Sequence, residues 1–293
     1  MNFLKLIGIF FICTNLAYAD KINVLTSFSI LKDLTEQVGG ERVTVQSIVG
    51  PNQDAHIYQT TPNDLKKIKA AKLIIVNGLG FEGAGLNRAI TQSKIKMVIA
   101  SRGVQTLSQE HHHDDHSHGS TDPHAWTDPT LTKIYVKNIA QALSSIDPQG
   151  TDYYQKHATA YTNELTQLDN WAKQSFGAIA KNKRKVMTAH DAFGYFSHHY
   201  DIEFIAPQGV NTESEASAKT VAQMIRQAKA QNIKAIFAEN IKDDRLIKQI
   251  SKETGAKVQG KLYSDALSPK NTEADTYLKM MRFNINQLIN SMK

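Results

Sequence analysis

The chain has 293 residues, a formal net charge of +6 and a single cysteine. Its lysines and arginines are scattered rather than massed and form no stripe with aromatic residues, so we expect no nucleic-acid partner. Beyond the N-terminal segment, no stretch approaches the ~20 consecutive apolar residues of a membrane-spanning helix. The length suffices for one large or two medium domains with substantial cores.

The N-terminal segment, residues 1–19, has the layout of a secretory signal peptide. Lys5 supplies the positive charge, the run LIGIFFIC supplies a short apolar core, and residues 17–19 form an A-x-A cleavage site. Lipid attachment at Cys13 is not expected, because Ile12 stands where a small residue would precede the modified cysteine. Cleavage after Ala19 removes the only cysteine, so we expect a periplasmic protein with no disulfide bond and no thiolate metal ligand.

Short β-branched runs then alternate with amphipathic stretches, which is typical of βα units that build parallel sheets. The strands predicted in the first half lie at 22–26, 43–49, 73–76 and 97–100. The predicted helices lie at 29–38, 62–70 and 83–92. We therefore predict a first α/β lobe over residues 20–148, which includes a His-rich loop at 109–120.

That loop holds five histidines within eight residues: His111, His112, His113, His116 and His118. Imidazole nitrogens suit Zn, Cu, Fe and Ni better than Mg or Ca. A tract this polar cannot pack into an apolar core, so we predict an exposed loop with weak accessory metal sites. An affinity tag would have a similar composition, but tags lie at chain termini and this tract is internal. The tract therefore indicates metal handling.

A long helix is predicted at the centre of the chain. Between residues 152 and 180 there is no proline, glycine occurs only at Gly177, and apolar side chains recur at three- and four-residue steps. At 1.5 Å per residue such a helix would reach on the order of 40 Å. We interpret residues 149–182 as a rigid connector between two lobes rather than a flexible linker.

Strands and helices alternate again after the connector. Strands are predicted at 185–188, 202–205, 235–238 and 258–262, and helices at 218–230, 244–254 and 273–292. A second lobe is thus predicted over residues 183–293. The fold class is α/β, with two lobes that each hold a parallel four-stranded sheet and that are joined by one long helix.

Four candidate metal ligands follow predicted strands, two in each lobe: His56, His124, His190 and Asp265. Sites in parallel α/β sheets form outside the carboxyl ends of the strands. If the two sheet edges face each other, three imidazoles and one carboxylate therefore meet in the cleft between the lobes. This donor set suits tetrahedral Zn²⁺.

Further acids lie close to these candidates: Asp54, Asp122, Asp191 and Glu239. We interpret them as partners that orient the imidazoles. A zinc hydrolase with Glu239 as general base would use a similar three-histidine set. However, no His-Glu-x-x-His motif occurs, and Asp265 would close the position that an attacking water needs. We therefore expect a protein that is not an enzyme.

Four segments resemble the substrate-binding proteins of zinc/manganese ABC transporters, the ZnuA-like and TroA-like metal receptors. They are HIYQTTPND from His56, DPHAWTDP from Asp122, HDAFGYF from His190 and SDAL from Ser264. The resemblance covers the mature chain and implies two lobes joined by one long helix, a buried metal ion in the cleft, and delivery to a membrane ABC permease. It also implies the metal ligands His56, His124, His190 and Asp265.

Zinc is the expected metal. Manganese members often have a carboxylate where this chain has His190, and the His-rich insert is similar to those of zinc-specific members. Ala55 replaces a proline of many members, which is a minor departure, and the cysteine pair of some zinc members is absent. A receptor for Mn²⁺ or for both metals, and a periplasmic metal buffer or chaperone, remain the alternatives. We expect a monomer.

Overall fold

The computed structural model describes residues 20–107 and 121–293. The predicted signal peptide and the predicted His-rich loop, with His111, His112, His113, His116 and His118, lie outside the described residues. Within the described ranges, no helix combines the length and the apolar character needed to cross a bilayer.

The first sheet has four parallel strands in the order β2-β1-β3-β4. The strands are β1 (Ile22–Thr26), β2 (Val43–Ser47), β3 (Leu73–Val76) and β4 (Met97–Ile99). The helices of this lobe are α1 (Ser29–Gly39), α2 (Pro62–Ala70), α3 (Ala84–Gln92) and α4 (Pro129–Ile146). The central strand β3 reads LIIV and is buried at every position, as expected for a parallel strand covered on both faces.

A capping box begins α2 and also ends the loop that carries His56. The Thr61 hydroxyl oxygen accepts a hydrogen bond from the Asp64 backbone N–H at 3.3 Å, and the Asp64 carboxylate accepts one from the Thr61 N–H at 2.9 Å. Pro62 occupies the first turn, where its missing N–H costs nothing. The C-terminal end of the His56 loop is therefore held in place by local sequence.

The long helix α5 runs over Thr151–Gly177. Its apolar stripe is buried and packs against α1 and α4 of the first lobe and against α9 near the C-terminus. The buried side chains include Tyr154, Tyr161, Leu165 and Leu168. This helix is therefore part of the core as well as the covalent connection between the two sheets.

The second sheet repeats the strand order of the first, as β6-β5-β7-β8 with parallel strands. Its strands are β5 (Lys185–Met187), β6 (Glu203–Ile205), β7 (Ala235–Glu239) and β8 (Lys257–Leu262). The accompanying helices are α6 (Gly194–Tyr200), α7 (Ala218–Ala230), α8 (Arg245–Thr254) and α9 (Tyr277–Met292). The prediction of two α/β lobes with parallel four-stranded sheets is confirmed.

One continuous apolar core extends through both lobes. It contains side chains of the first sheet, of α4, α5, α6 and α9, and of one face of the second sheet. A smaller core fills the other face of the second sheet, beneath α7 and α8. Along β5 the side chains alternate, because Val186 lies in the main core and Met187 in the smaller one. The cleft is thus a seam within one packed body.

Candidate metal centre

Four buried side chains meet at the seam between the lobes: His56, His124, His190 and Asp265. Their ligand atoms all lie within 4.8 Å of one another. His56 is 2% exposed and the other three are 0% exposed. Each side chain comes from the segment that follows a strand, so the two sheets direct their carboxyl ends toward a common point. The structure brings together the set that strand positions indicated.

The shortest separations within this cluster are nearly equal. Nε2 of His56 lies 3.4 Å from Nε2 of His124 and 3.3 Å from Oδ2 of Asp265. Nε2 of His124 lies 3.4 Å from Oδ1 of Asp265, and Nε2 of His190 lies 3.3 Å from Oδ2. A tetrahedral Zn²⁺ with bonds of about 2.0–2.1 Å separates its donors by roughly 3.3–3.4 Å. These four separations therefore fit one ion of this size.

Several atoms that face the centre of the cluster lack hydrogen bonds. Both carboxylate oxygens of Asp265 and Nε2 of His190 are buried and make no hydrogen bond with the residues that the structure describes. Buried polar atoms without partners cost free energy, and they are uncommon in folded proteins. A cation at the centre of the cluster would satisfy all three atoms at once.

Two of the imidazoles contact a carboxylate on the side away from the cluster. Nδ1 of His124 lies 2.8 Å from Oδ1 of Asp122, which also accepts the His124 backbone N–H at 2.9 Å. Nδ1 of His190 lies 2.6 Å from Oε2 of Glu239, while Oε1 of Glu239 accepts the backbone N–H groups of Ala189 and His190. These contacts direct the Nε2 atom of each ring toward the cluster.

The other two acids near the site behave differently. Asp54 accepts the backbone N–H of His56 at 3.0 Å and the hydroxyl of Thr212, from the second lobe, at 2.6 Å. It therefore positions the His56 loop, whereas Nδ1 of the His56 ring has no hydrogen-bond partner within the described ranges. Asp191 follows His190, and burial, with the Asp122 carboxylate as a further cause, raises its pKa. Its predicted role in orienting an imidazole stays a prediction.

Aromatic rings enclose the imidazoles of the first lobe. The ring centroid of Phe81 lies 4.8 Å from that of His56, and the Trp126 centroid lies 5.2 Å from that of His124. Trp126 also donates its indole N–H to the carbonyl of Ser264 in the second lobe at 2.9 Å. The sequence interpretation missed Phe81, although the Gly-rich run NGLGFEG after a buried strand indicated a loop at that sheet edge.

The acidic and basic groups of the cluster shift one another's pKa values strongly. Burial by itself would lower the pKa of His124, but the carboxylates of Asp265 and Asp122 outweigh it and raise the pKa to about 9. The pKa of His190 also lies well above its usual value, because Glu239 and Asp265 outweigh burial. Conversely, His124 and His190 outweigh burial at Asp265 and hold its pKa well below the usual range. The cluster therefore has an ionised carboxylate beside protonated imidazoles when no metal is bound.

The sequence profile of the family described as "Zinc-uptake complex component A periplasmic" (ZnuA) matches residues 24–291. The chain belongs to this family. SloC, a metal ABC transporter substrate-binding lipoprotein of Streptococcus mutans, is 33% identical over an alignment of 297 positions that covers 99% of this chain and 96% of SloC. PsaA of Streptococcus pneumoniae, named a manganese ABC transporter substrate-binding lipoprotein, is 32% identical over 277 residues, which cover 92% of this chain and 88% of PsaA.

A solved structure agrees with this assignment. The periplasmic zinc-binding protein TroA of Treponema pallidum superposes with a TM-score of 0.87 at 28% sequence identity, covering 93% of this chain and 99% of TroA. The fold and the family resemblance inferred from sequence are thereby confirmed.

As a member of this family, the chain is the substrate-binding component of a metal ABC transporter, with a metal ion as cargo and a membrane permease as partner. It is a receptor and not an enzyme. The contacts of Glu239 agree with this, because its carboxylate already contacts the His190 ring and two backbone N–H groups. A general base for hydrolysis would instead have to face a substrate water.

We expect metal binding to release protons at neutral pH. Because His124 and His190 have raised pKa values in the metal-free site, an ion that binds at pH 7.5 must displace their protons, up to about two per ion. Calorimetric titration with Zn²⁺ in buffers of different ionisation enthalpy measures this number. Affinity should also keep rising between pH 7 and 9, rather than levelling off above the usual imidazole pKa of about 6.5.

The metal-free protein should show the opposite pH trend in stability. Because folding raises the pKa of His124 to about 9, the protonated imidazole stabilises the metal-free folded protein. This contribution is fully present below pH ~6.5 and is lost as the pH rises through 9. The melting temperature of the metal-free protein should therefore fall between pH 7 and 9.5. No proton release at pH 7.5, together with a constant melting temperature over this range, would contradict the charge assignment.

Proposed function

We propose that this chain captures Zn²⁺ in the periplasm with His56, His124, His190 and Asp265 as ligands, and delivers the ion to its permease. The observation that carries the proposal is the cluster of three imidazoles and one carboxylate, whose shortest separations are 3.3–3.4 Å. A nitrogen-rich set at this spacing suits the borderline-soft Zn²⁺, whereas oxygen-rich sites suit Mn²⁺.

Uptake of Mn²⁺, or of both metals, is the second candidate. It is favoured by the S. pneumoniae relative, which is named a manganese transporter component, and by Asp265, whose two oxygens both face imidazoles. Bidentate binding by this carboxylate would give five donors, more than the four of a structural Zn²⁺ site. A periplasmic metal buffer or chaperone would use the same cluster, but the family assignment to a transporter favours delivery. Competition between Zn²⁺ and Mn²⁺ separates the first two candidates.

We also propose that the mature protein begins at Asp20 and is a free monomer in the periplasm. SloC and PsaA are named lipoproteins, but Ile12 before Cys13 disfavours lipid attachment in this chain. The intact mass of the exported protein tests this: a lipid-modified cysteine at the N-terminus would contradict it.

Replacing His190 by alanine should abolish tight Zn²⁺ binding. Since His190 is buried and bridges Asp265 and Glu239, its loss removes one donor and leaves two carboxylates without their shared imidazole. We expect the affinity to fall by more than about 100-fold, beyond the cost of losing a residue that only supports a ligand. Chelator-competition titrations measure it.

The matched control for this variant is His198→Ala, since His198 is an exposed histidine on α6 of the same lobe. Its affinity should equal that of the wild type. Retained tight binding in the His190→Ala variant would contradict the ligand assignment.

The His-rich loop should account for additional, weaker ions. Its five imidazoles are predicted to bind Zn²⁺ with low affinity and to pass ions to the cluster or to sense zinc excess. Replacing residues 109–120 by a Gly/Ser segment of equal length should leave one tight ion per protein and remove the weak ones, as measured by calorimetric titration. An unchanged total stoichiometry would exclude this role.

A further inference from the structure

The loop that follows β3, residues 77–83, carries none of the four candidate ligands, yet it contacts the surroundings of both first-lobe imidazoles. We call it the β3 loop; its sequence is NGLGFEG. Asn77 and Phe81 are 0% exposed and Glu82 is 9% exposed. The polar groups of the buried residues Asn77 and Glu82 need partners inside the protein.

Glu82 organises this loop from within. Oε1 accepts the Asn77 backbone N–H at 2.6 Å and the hydroxyl of Ser27, which follows β1, at 2.7 Å. Oε2 accepts the Gly78 backbone N–H at 3.1 Å. One buried carboxylate thus closes the loop on itself and ties it to the end of β1. Three hydrogen-bond donors converge on the Glu82 carboxylate. The side-chain N–H₂ group of a glutamine at this position would face at least one of these donors and could not accept its hydrogen bond.

From Asn77 the contacts lead to His124. The Asn77 side-chain amide donates to the carbonyl of Pro123 at 3.0 Å, and the Tyr135 hydroxyl donates to the Asn77 side-chain oxygen at 2.8 Å. Pro123 immediately precedes His124. The position of the His124 backbone therefore depends on Asn77, whose own backbone is held by Glu82.

From the other end of the loop the contacts lead to His56. The Gly83 backbone N–H donates to the Ala55 carbonyl at 3.4 Å, and a Cβ atom on Gly83 would lie 2.5 Å from the His56 carbonyl oxygen. The Phe81 ring contacts the His56 ring, with centroids 4.8 Å apart, and lies 6.0 Å from that of His124. The same short loop therefore contacts the segments that carry both imidazoles.

We propose that the β3 loop, organised by Glu82, sets the spacing between His56 and His124 and thereby the preference of the site for an ion of the size of Zn²⁺. Glu82 is a positioning residue that acts through Asn77 and Gly83, not a metal ligand. The inference rests on the proposed function, because it requires both histidines to bind the cargo.

The second lobe offers an internal comparison. There Glu239, at the end of β7, accepts backbone N–H groups that follow β5 and also contacts the His190 ring. β7 and β3 occupy the same place in their sheets, as do β5 and β1. Each lobe thus ties two central strands together through a buried glutamate. Glu239 contacts a candidate ligand directly. In the first lobe the candidate ligands follow the edge strands β2 and β4, so Glu82 reaches them only through intervening residues.

Gly83→Ala is the most direct test, with Gly85→Ala as the matched control. Gly83 has φ −53°, which alanine adopts readily, so the substitution presses on the His56 carbonyl and, because Gly83 is the N-cap of α3, also slightly weakens the start of that helix. A Cβ on Gly85, two residues further on, would meet nothing within 4 Å. With the full mature chain, Zn²⁺ affinity of Gly83→Ala should fall about tenfold, as for other supports of metal ligands, and Mn²⁺ affinity should fall less. Gly85→Ala should leave both affinities unchanged within about twofold.

Glu82→Gln should shift the ratio of Zn²⁺ to Mn²⁺ affinity in the same direction. Its control is Asp33→Asn, since Asp33 is another buried carboxylate that accepts a backbone N–H, from Tyr277, but lies outside the cluster. Both variants should lose stability, whereas only Glu82→Gln should lower the intensity of the visible d–d bands of bound Co²⁺, which report tetrahedral geometry. If Glu82→Gln does not fold, Ser27→Ala removes one of the three hydrogen bonds and should give the same shift at smaller amplitude.

The positioning role of Glu82 and the β3 loop would be overturned if each variant had the same ratio of Zn²⁺ to Mn²⁺ affinity and the same Co²⁺ spectrum as its control. Failure of the proposed function would look different, because His190→Ala would then bind Zn²⁺ as tightly as the wild type.

Discussion

The site depends on keeping one carboxylate ionised away from water. Asp265 is fully buried, and its charge partners in the described part of the chain are three imidazoles. A buried carboxylate is costly unless opposite charge compensates it, either as protons on the histidines or as a metal ion. The raised pKa of His124 and the lowered pKa of Asp265 follow from this requirement. Protons and cargo therefore compete for the same small volume, which makes binding and release sensitive to the closure of the cleft.

The packing of the lobes limits how that closure can change. The main core runs through both sheets and α5, whereas the smaller core under α7 and α8 belongs to the second lobe alone. Hydrogen bonds also cross the seam beside the ligands, from Thr212 to Asp54 and from Trp126 to Ser264. Wide opening would disrupt a well-packed interior, which resists continuous deformation. We therefore expect entry and release through small shifts of the site loops and of the outer layer of the second lobe.

The sequence was sufficient to select the candidate ligands, because these are particular side-chain types at the ends of predicted strands. His56, His124, His190 and Asp265 could be selected because parallel strands bring their carboxyl ends to one edge. The 18-residue helix α4 was not predicted, although Asp128 caps it and Pro129 occupies its first turn. Its capping residues lie inside the segment that was interpreted as a metal-binding motif. Glu82 was also missed, because its partners are mainly backbone N–H groups and therefore leave no residue pattern in the sequence.

The most direct test of the central claim is X-ray absorption spectroscopy at the zinc edge of the mature, zinc-loaded protein. If His56, His124, His190 and Asp265 hold the ion, the spectrum will show three imidazole nitrogens and one or two carboxylate oxygens at about 2.0–2.2 Å. The outer-shell scattering of three imidazole rings is the distinctive signal. Fewer than three imidazoles, or a shell composed mainly of oxygen, would contradict the claim.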